Sequence, residues 1–239
     1  MLSQESSLIA EAFEKLGLKI DRIQLNNLKE FLKMMLEWNK KTNLTAITNY
    51  SDAVNKHLID SIMLLKYLNI EGLKIADIGT GAGFPGIPLA IYHENVIIDL
   101  IEASKKKCEF LAAVCNKLEF NNVSIIHERA EEVGNNIMHR EKYDIVICRA
   151  VASMNILAEY ALPLLLQGGK FIAYKGPNID QEIKDSFNAF NILGGRLKDV
   201  ISFNLSLGGE NRTLVVVEKE HPTPGKYPRR IGIPTKRPL

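Results

Sequence analysis

The spacing of apolar residues along the chain follows two patterns, one helical and one typical of short strands. From Gln24 to Asn39, leucine, phenylalanine and methionine recur at helical spacing, with lysine and glutamate on the opposite face. A second helical pattern runs from about Ser51 to Leu68, after a loop rich in asparagine and threonine. These patterns predict that roughly the first 70 residues are helical.

From Leu73 onwards, short aliphatic runs alternate with longer helical patterns, and each run ends in Gly, Asp, Glu or Arg. The predicted strands are LKIADIG, NVIIDLIE, VSIIHE, YDIVICRA, GKFIAYKG and RTLVVVEKE. The helices predicted between the first five strands are Pro85–His93, Ser104–Leu118, Ala130–Asn136 and Ser153–Leu166. This alternation predicts an α/β fold with a mostly parallel sheet, covered by helices on both faces.

Two segments near the end of the chain depart from this alternation. The run VISFNLSLGGEN precedes the last predicted strand and resembles a hairpin arm, so we expect an antiparallel edge strand there. The tail from His221 to Leu239 contains five of the nine prolines, five basic residues and no acidic residue. We expect this tail to be extended and positively charged.

Composition and charge are typical of a soluble globular protein. With 239 residues, 46% of them hydrophobic, and a net charge of +2, the chain suits one main soluble domain. Cys108, Cys115 and Cys148 form neither an even disulfide framework nor a C-x-x-C pair, which predicts a reducing, cytoplasmic setting without a metal site. Neither a signal peptide nor a membrane span is predicted.

The stretch KIADIGTGAGFPGIPLAI combines a buried strand with an acid and a glycine turn. Gly79, Gly81 and Gly83 allow the backbone to turn tightly and to approach a ligand at the end of the first strand. Gly81-x-Gly83-x-x-Gly86 also matches a dinucleotide pattern, so a nicotinamide cofactor is an alternative. Asp77 favours a cationic cofactor, because a carboxylate would repel a pyrophosphate but attract the ammonium and sulfonium of S-adenosyl-L-methionine.

Several motifs together resemble a known enzyme family. The pattern Asp77-x-Gly79-x-Gly81-x-Gly83 and the acid Glu102 resemble those of class I (Rossmann-like) methyltransferases. More closely, the chain resembles the RsmG family, also called GidB, in the segments WNKKTNLTAI, KHLIDS, DIGTGAGFPGIPLAI, ERAEE, CRAVAS and YPRRIGIPTKRPL. The resemblance implies a cytoplasmic enzyme that uses S-adenosyl-L-methionine to methylate N7 of a guanine in the 530 loop of 16S ribosomal RNA.

The resemblance also divides the chain into three parts. We expect an N-terminal helical extension at residues 1–70, an S-adenosylmethionine-binding methyltransferase domain at residues 71–220, and a basic tail at residues 221–239 packed on that domain. We further expect a monomer without a metal.

Candidate cofactor residues follow the second and third strands. Glu102 ends its strand, where its two oxygens could accept the ribose hydroxyls; a salt bridge to the following KKK is the alternative. Ala103 and Ser104 continue this loop, and Ser104 is a candidate N-cap. The resemblance implies that Ala130 and Glu131 face the adenine ring, although a solvated first helical turn explains them as well.

Two further candidates belong to the cofactor region. The resemblance places Phe84 at the cofactor, whereas its residue type alone is typical of a core. Arg149 ends an otherwise apolar strand, so its charge needs partners; a structural ion pair and a cofactor contact are both open. We expect Arg149 also to approach guanine O6 or a phosphate. His57 and Asp60 are interpreted as residues that shape the mouth of the site.

A catalytic base is not assigned. Guanine N7 offers an in-plane lone pair and carries no proton, so Arg149 is predicted to act by positioning. The predicted RNA contacts are Lys40, Lys41, Asn43, Tyr227, Arg229, Arg230, Lys236 and Arg237. In this set Tyr227 would stack on an exposed base, and a plain solvated tail is the alternative. A nicotinamide-dependent oxidoreductase and a non-catalytic ribosome assembly factor are the competing functions.

Overall fold

The computed structural model describes residues 4–149, 152–205 and 210–239. Part of the CRAVAS motif and part of the VISFNLSLGGEN run lie outside these residues. The described chain forms a seven-stranded sheet in the order β3-β2-β1-β4-β5-β7-β6. Its strands are β1 (Lys74–Ile78), β2 (Ile97–Ile101), β3 (Val123–Ile126), β4 (Tyr143–Arg149), β5 (Leu165–Lys175), β6 (Gly195–Asn204) and β7 (Asn211–Lys219).

The sheet confirms the predicted α/β class. The pairs β1–β2, β2–β3, β1–β4 and β4–β5 are parallel, while β7 runs antiparallel to both β5 and β6. The predicted antiparallel edge is therefore a β6–β7 hairpin in which β6 is the outermost strand. The strand order reverses between β1 and β4, and in such sheets ligands bind beyond the carboxyl ends at this point.

The helices surround this sheet. They are α1 (Gln4–Leu16), α2 (Arg22–Thr42), α3 (Tyr50–Asp52), α4 (Asp60–Ile62), α5 (Gly86–Tyr92), α6 (Lys105–Lys117), α7 (Ala130–Asn135), α8 (Met154–Ala161), α9 (Asp180–Leu193) and α10 (Ile233–Lys236). Seven of them, α2 to α8, lie in segments where the spacing of apolar residues predicts helices. No helix in the described part of the chain has both the length and the apolar composition needed to cross a membrane.

Two of the helical predictions need correction. The segment predicted from Ser51 to Leu68 is helical, but a π-helix at Ala53–Ile59 separates α3 from α4, and a 3-10 turn follows at Met63–Lys66. The helix predicted from Ser153 to Leu166 is shorter in the structure, where it is α8 and ends at Ala161. Pro163 in the following 3-10 turn has no N–H to continue the helical hydrogen bonds.

The N-terminal helices share their core with the sheet. In α2, the buried side chains include Phe31 and Leu32, which belong to one apolar cluster with Ile75 of β1 and Leu100 of β2. The rings of Phe31 and Phe84 lie 4.9 Å apart between centroids. The N-terminal segment is therefore a layer over one face of the sheet, and α8 and α9 cover the opposite face.

The tail folds back onto the α8 side of the molecule. The guanidinium of Arg140 donates to the carbonyl oxygens of Thr223 at 2.8 Å and Tyr227 at 2.7 Å. The amide of Asn135 donates to the carbonyl of Pro228 at 3.0 Å. These bonds satisfy carbonyls of an irregular segment that has few backbone partners of its own, so the tail follows a defined path.

Candidate active site

A cleft of about 420 Å³ opens beyond the carboxyl ends of β1, β2 and β4. Its volume lies in the range of about 300–1,000 Å³ that is typical of small-molecule sites. The predicted cofactor residues that line it are Gly79, Glu102, Ala103, Ala130, Glu131 and Arg149. The strand topology thus brings together residues that are up to 70 positions apart in sequence, since Gly79 and Arg149 line the same cleft.

The glycine turn has the backbone conformation that its sequence predicts. Gly79, Gly81 and Gly83 have φ angles of 64°, 62° and 87°, in the left-handed region that disfavours residues with a Cβ. A Cβ on Gly83 would also lie 2.6 Å from Cγ1 of Ile87. The turn therefore requires glycine for its conformation and, at Gly83, for packing.

Asp77 is not among the residues that line the cleft, so its predicted contact with a cationic ligand stays a prediction that the geometry does not support. The residue is fully buried, and its Oδ2 accepts bonds from the Thr80 hydroxyl at 2.6 Å and the Gly86 N–H at 2.9 Å. Burial raises the pKa of Asp77 from 3.8 to about 6. Asp77 therefore fixes the shape of the glycine turn from beneath.

Glu102 lines the cleft and fastens two backbone segments. Its Oε2 accepts the Gly81 N–H at 3.0 Å, and its Oε1 accepts the Ser104 N–H at 2.8 Å. Lys107 lies 4.0 Å from Oε2, so the salt bridge considered from sequence is a long one. A carboxylate oxygen can accept more than one bond, so hydroxyls in the cleft could still bind here. The ribose contact stays a prediction.

Ser104 occupies the N-cap position of α6, as expected, but its side chain makes no capping hydrogen bond. Its backbone N–H, rather than its hydroxyl, is the group that reaches the site, through Glu102. The contribution of Ser104 to the cleft is therefore a main-chain one.

Glu131 connects the cleft to the tail. Its Oε1 accepts the N–H of Gly232 at 3.0 Å and the hydroxyl of Tyr160 at 3.4 Å. The hydroxyls of Tyr160 and Thr235 lie 3.3 Å apart, and both residues line the cleft. Sequence reasoning missed both as site residues: Tyr160 lies in none of the motifs, and Thr235 lies in YPRRIGIPTKRPL but 75 positions away from Tyr160.

Arg149 forms the structural ion pair that the sequence left open, and its contact with a cofactor stays a prediction. It lines the cleft, and its Nη1 donates to Oδ2 of Asp60 at 3.2 Å, while its Nη2 lies 3.0 Å from Nδ1 of His57. Burial raises the pKa of Asp60, and Arg149 opposes that shift. His57 and Asp60 do not line the cleft themselves but contact Arg149, which does, so their role at the mouth of the site stays a prediction.

Phe84 lies beneath Arg149 and is 3% exposed. Its ring stacks on His57 at 4.6 Å between centroids, and the Arg149 guanidinium carbon lies 5.1 Å from the ring centre. Phe84 is not among the residues that line the cleft. The structure therefore gives it the core position that its residue type predicts and leaves a direct cofactor contact unsupported.

The predicted RNA contacts fall into two groups. Lys40 and Lys41 are exposed at the end of α2, and Arg230, Lys236 and Arg237 are exposed in the tail. Lys40 is also 2.6 Å from Glu37, and Asn43 ends α2 with a left-handed φ of 49°. These residues are accessible to a large ligand.

Tyr227 and Arg229 form the second group. The burial of Tyr227 does not support its predicted stacking on a base, and the RNA contact of Arg229, whose side chain is 25% exposed, stays a prediction. Tyr227 is only 7% exposed, so its ring is not available to stack on a base. The Arg229 guanidinium is engaged by Glu159, a fully buried carboxylate. Both residues hold the tail against the domain in this structure.

Comparison with known proteins shows which family this chain belongs to. A family model described as "GidB: rRNA small subunit methyltransferase G" matches residues 24–214. The chain is 42% identical over 238 residues to the "Ribosomal RNA small subunit methyltransferase G" of Alkaliphilus metalliredigens, covering 99% of each chain. It is 43% identical over 239 residues to the protein of the same name from Pelotomaculum thermopropionicum, covering all of both chains.

Solved structures share the fold at low sequence identity. The structure of M. jannaschii TYW2 in complex with AdoMet superposes with a TM-score of 0.52 and 18% identity, over 67% of this chain and 75% of that one. At this identity the likeness concerns the fold alone.

Proposed function

Since this chain belongs to the rRNA small subunit methyltransferase G family, we propose that its cleft binds S-adenosyl-L-methionine and that it methylates N7 of a guanine in the 530 loop of 16S ribosomal RNA. Membership makes the chain a methyltransferase of small-subunit ribosomal RNA. Three parts of this function are our proposal: the cofactor, the target atom and the target loop.

The observation that carries the cofactor proposal is the position of Glu102. Its carboxylate joins Gly81 of the glycine turn to Ser104 at the start of α6, and it borders a cleft at the topological switch point. Glu131 borders the same cleft. The lining carries three acidic side chains (Glu102, Glu128, Glu131) and three basic ones (Lys107, Arg129, Arg149). This mixture suits a ligand with charges of both signs, such as S-adenosylmethionine with its ammonium, sulfonium and carboxylate groups.

The residues of the cleft have distinct proposed roles. The glycine turn provides a close backbone surface, Glu102 accepts the ribose hydroxyls, and Ala130 with Glu131 forms the adenine side. When bound, S-adenosylmethionine supplies an electrophilic methyl group. Arg149 also lines the cleft and is proposed to position the cofactor and the guanine, through O6 or a phosphate.

The proposed reaction needs alignment more than proton transfer. Guanine N7 has a free lone pair in the plane of the ring and loses no proton on methylation, so a general base has no role. His57 and Asp60, the titratable groups beside Arg149, are both engaged by its guanidinium. This arrangement agrees with a site that orients its substrate.

The exposed basic side chains are the proposed contacts to the substrate RNA. Lys40 and Lys41 at the end of α2, and Arg230, Lys236 and Arg237 in the tail, would neutralise phosphates independently of sequence. The protein is proposed to act as a cytoplasmic monomer on 16S RNA or on the small subunit. A nicotinamide-dependent oxidoreductase and a non-catalytic assembly factor are not favoured by the family match.

Transfer of labelled methyl groups tests the proposal. The purified protein is incubated with S-adenosylmethionine labelled in the methyl group and with small subunits, or naked 16S RNA, from a strain that lacks this protein. We expect label in 7-methylguanosine within the 530 loop, and little label on subunits from the parent strain, which already carry the methyl group. Absence of label on both substrates would overturn the enzyme proposal, and label in another nucleoside would overturn the target.

A further inference from the structure

The loop at residues 43–47 is held rigidly against the end of α2. Asn39 donates from Nδ2 to the carbonyls of Thr45 at 2.9 Å and Ile47 at 3.2 Å, and its Oδ1 accepts the Thr45 N–H at 2.9 Å. The loop directly follows the exposed Lys40 and Lys41. It therefore presents a defined surface next to two proposed phosphate contacts.

A continuous path of contacts leads from this loop to the cleft. Oγ1 of Thr45 lies 2.8 Å from Nε2 of His57, and Nδ1 of His57 lies 3.0 Å from Nη2 of Arg149. Arginine only donates, so Nδ1 of His57 accepts, and Nε2 carries the proton that is donated to Thr45. The direction of both hydrogen bonds is thereby fixed.

The imidazole of His57 is neutral and closely packed. Burial and the nearby Arg149 lower the pKa of His57 from 6.5 to about 3, so the ring keeps this single tautomer around neutral pH. One face of the ring stacks on Phe84 with an angle of 23° between the planes. The ring cannot move along its plane without shifting its two hydrogen-bond partners.

Arg149 is held on the side of the N-terminal helices. Its Nη1 donates to Asp60 and also lies 3.3 Å and 3.4 Å from the carbonyls of Lys56 and His57 in the π-helix. A π-helical turn is a common departure from regular helix at functional sites. The segment that carries His57 therefore determines where the Arg149 charge stands in the cleft.

We propose that His57 is a positioning residue that links the loop at residues 43–47 to Arg149, so that RNA bound at the loop and cofactor bound in the cleft alter each other's affinity. This inference rests on the proposed function, because it assumes that S-adenosylmethionine meets Arg149 and that the substrate RNA meets the loop. Coupling between two binding sites is reciprocal, so it is measurable from the cofactor side alone.

The test measures the affinity of tritiated S-adenosylhomocysteine by equilibrium dialysis, because the demethylated product binds without turnover. Each protein is measured alone and with saturating small subunits from a strain lacking this protein. In the unaltered protein we expect subunits to raise the affinity about tenfold, within the usual size of coupling between sites. Thr45→Val removes the hydroxyl at nearly constant shape, and we expect it to bring this ratio close to one.

Three further variants separate positioning from simple structural damage. Thr45→Ser keeps the hydroxyl and should keep the ratio, and Thr48→Val alters an exposed neighbouring threonine and should keep it as well. His57→Leu, whose side chain cannot form hydrogen bonds, should bring the ratio close to one, and it provides a second variant if Thr45→Val fails to fold. The melting temperature of each variant reports whether it is folded.

The possible outcomes are distinct. A tenfold ratio that persists in Thr45→Val or in folded His57→Leu would overturn the link, as would a ratio of one in the unaltered protein. Failure of the unaltered protein to bind S-adenosylhomocysteine under either condition would instead overturn the cofactor part of the proposed function.

Discussion

The guanidinium of Arg229 in the tail forms a bidentate ion pair with the buried carboxylate of Glu159, with Nε 2.9 Å from Oε1 and Nη2 2.6 Å from Oε2. The backbone N–H of Arg229 also donates to Oε1 at 2.8 Å. Because Glu159 has no exposed surface, it depends on Arg229 for the compensation of its charge.

The first prediction concerns this pair. Arg229→Ala leaves a buried carboxylate with only a backbone donor from the tail, and we expect a loss of about 3 kcal/mol in the free energy of unfolding. Urea denaturation measures it. Arg230→Ala, at an exposed neighbouring position, is the matched control and should change stability by less than about 0.5 kcal/mol. Equal effects of the two substitutions would contradict the role assigned to the pair.

The second prediction concerns the pH dependence of stability through Asp77. Burial raises the pKa of Asp77 from 3.8 to about 6, so the folded state holds a proton that the unfolded state releases between these values. This contribution to stability is present below about pH 4 and is lost as the pH rises through about 6. Asp77→Asn does not titrate, so its stability relative to the unaltered protein should increase from pH 4 to pH 7.

Urea denaturation of both proteins at several pH values gives this difference, and the other titrating groups cancel in it. A difference that stays constant between pH 4 and pH 7 would show that Asp77 has an ordinary pKa in the folded protein.

The third prediction concerns Glu102 and the cofactor. Glu102→Ala frees the N–H groups of Gly81 and Ser104 and removes the proposed ribose acceptor, so we expect the affinity for S-adenosylmethionine to fall at least about tenfold. Isothermal titration calorimetry measures this change. Glu109→Gln, an exposed acid on α6, serves as the control and should bind normally. If Glu102→Ala binds S-adenosylmethionine as tightly as the unaltered protein, Glu102 does not belong to the cofactor site.

The fourth prediction concerns the exposed tail charges. Replacing Arg230 and Arg237 by glutamine should weaken binding to small subunits and flatten its salt dependence, by about 0.7 to 0.9 in logarithmic slope for each phosphate that the tail no longer neutralises. Binding of S-adenosylmethionine should not change. Filter binding over a range of salt concentrations provides the slope.

A matched double substitution controls for net charge. The double substitution Lys66→Gln and Lys142→Gln removes two exposed positive charges. These residues precede the amino ends of β1 and β4 in the chain, whereas the cleft lies at the carboxyl ends of these strands. If this control flattens the salt dependence as much as the tail substitutions do, the tail has no special part in RNA binding.

The sheet and the positions of the strand-end residues were predictable from sequence for a physical reason. Buried parallel strands are aliphatic throughout, so a polar residue at the end of such a run, as at Glu102 or Arg149, is conspicuous and lies at the carboxyl edge. The helix α9 was not predicted, because its buried face includes Ser186 and Ala189 and so lacks a strong apolar pattern.

The direction in which a side chain points was less predictable. Asp77 and Glu102 both stand near strand ends, yet the first lies beneath the glycine turn and the second borders the cleft. Sequence reasoning likewise predicted that Tyr227 would stack on an exposed base, whereas the burial of Tyr227 depends on partners such as Arg140, 87 positions away. Contacts of this kind depend on tertiary structure and leave no local pattern.

The wall that Tyr160 and Thr235 add to the cleft bears on the selectivity of inhibitors. The strand-end side of the cleft belongs to a fold that many methyltransferases share, so a compound that contacts only Glu102 and the glycine turn would discriminate poorly among them. Thr235 lies outside the stretch that the family model matches and comes from a different part of the chain. A compound that reaches from Glu102 to the hydroxyls of Tyr160 and Thr235 would contact the tail as well as the shared fold, and this contact would distinguish the protein from other methyltransferases.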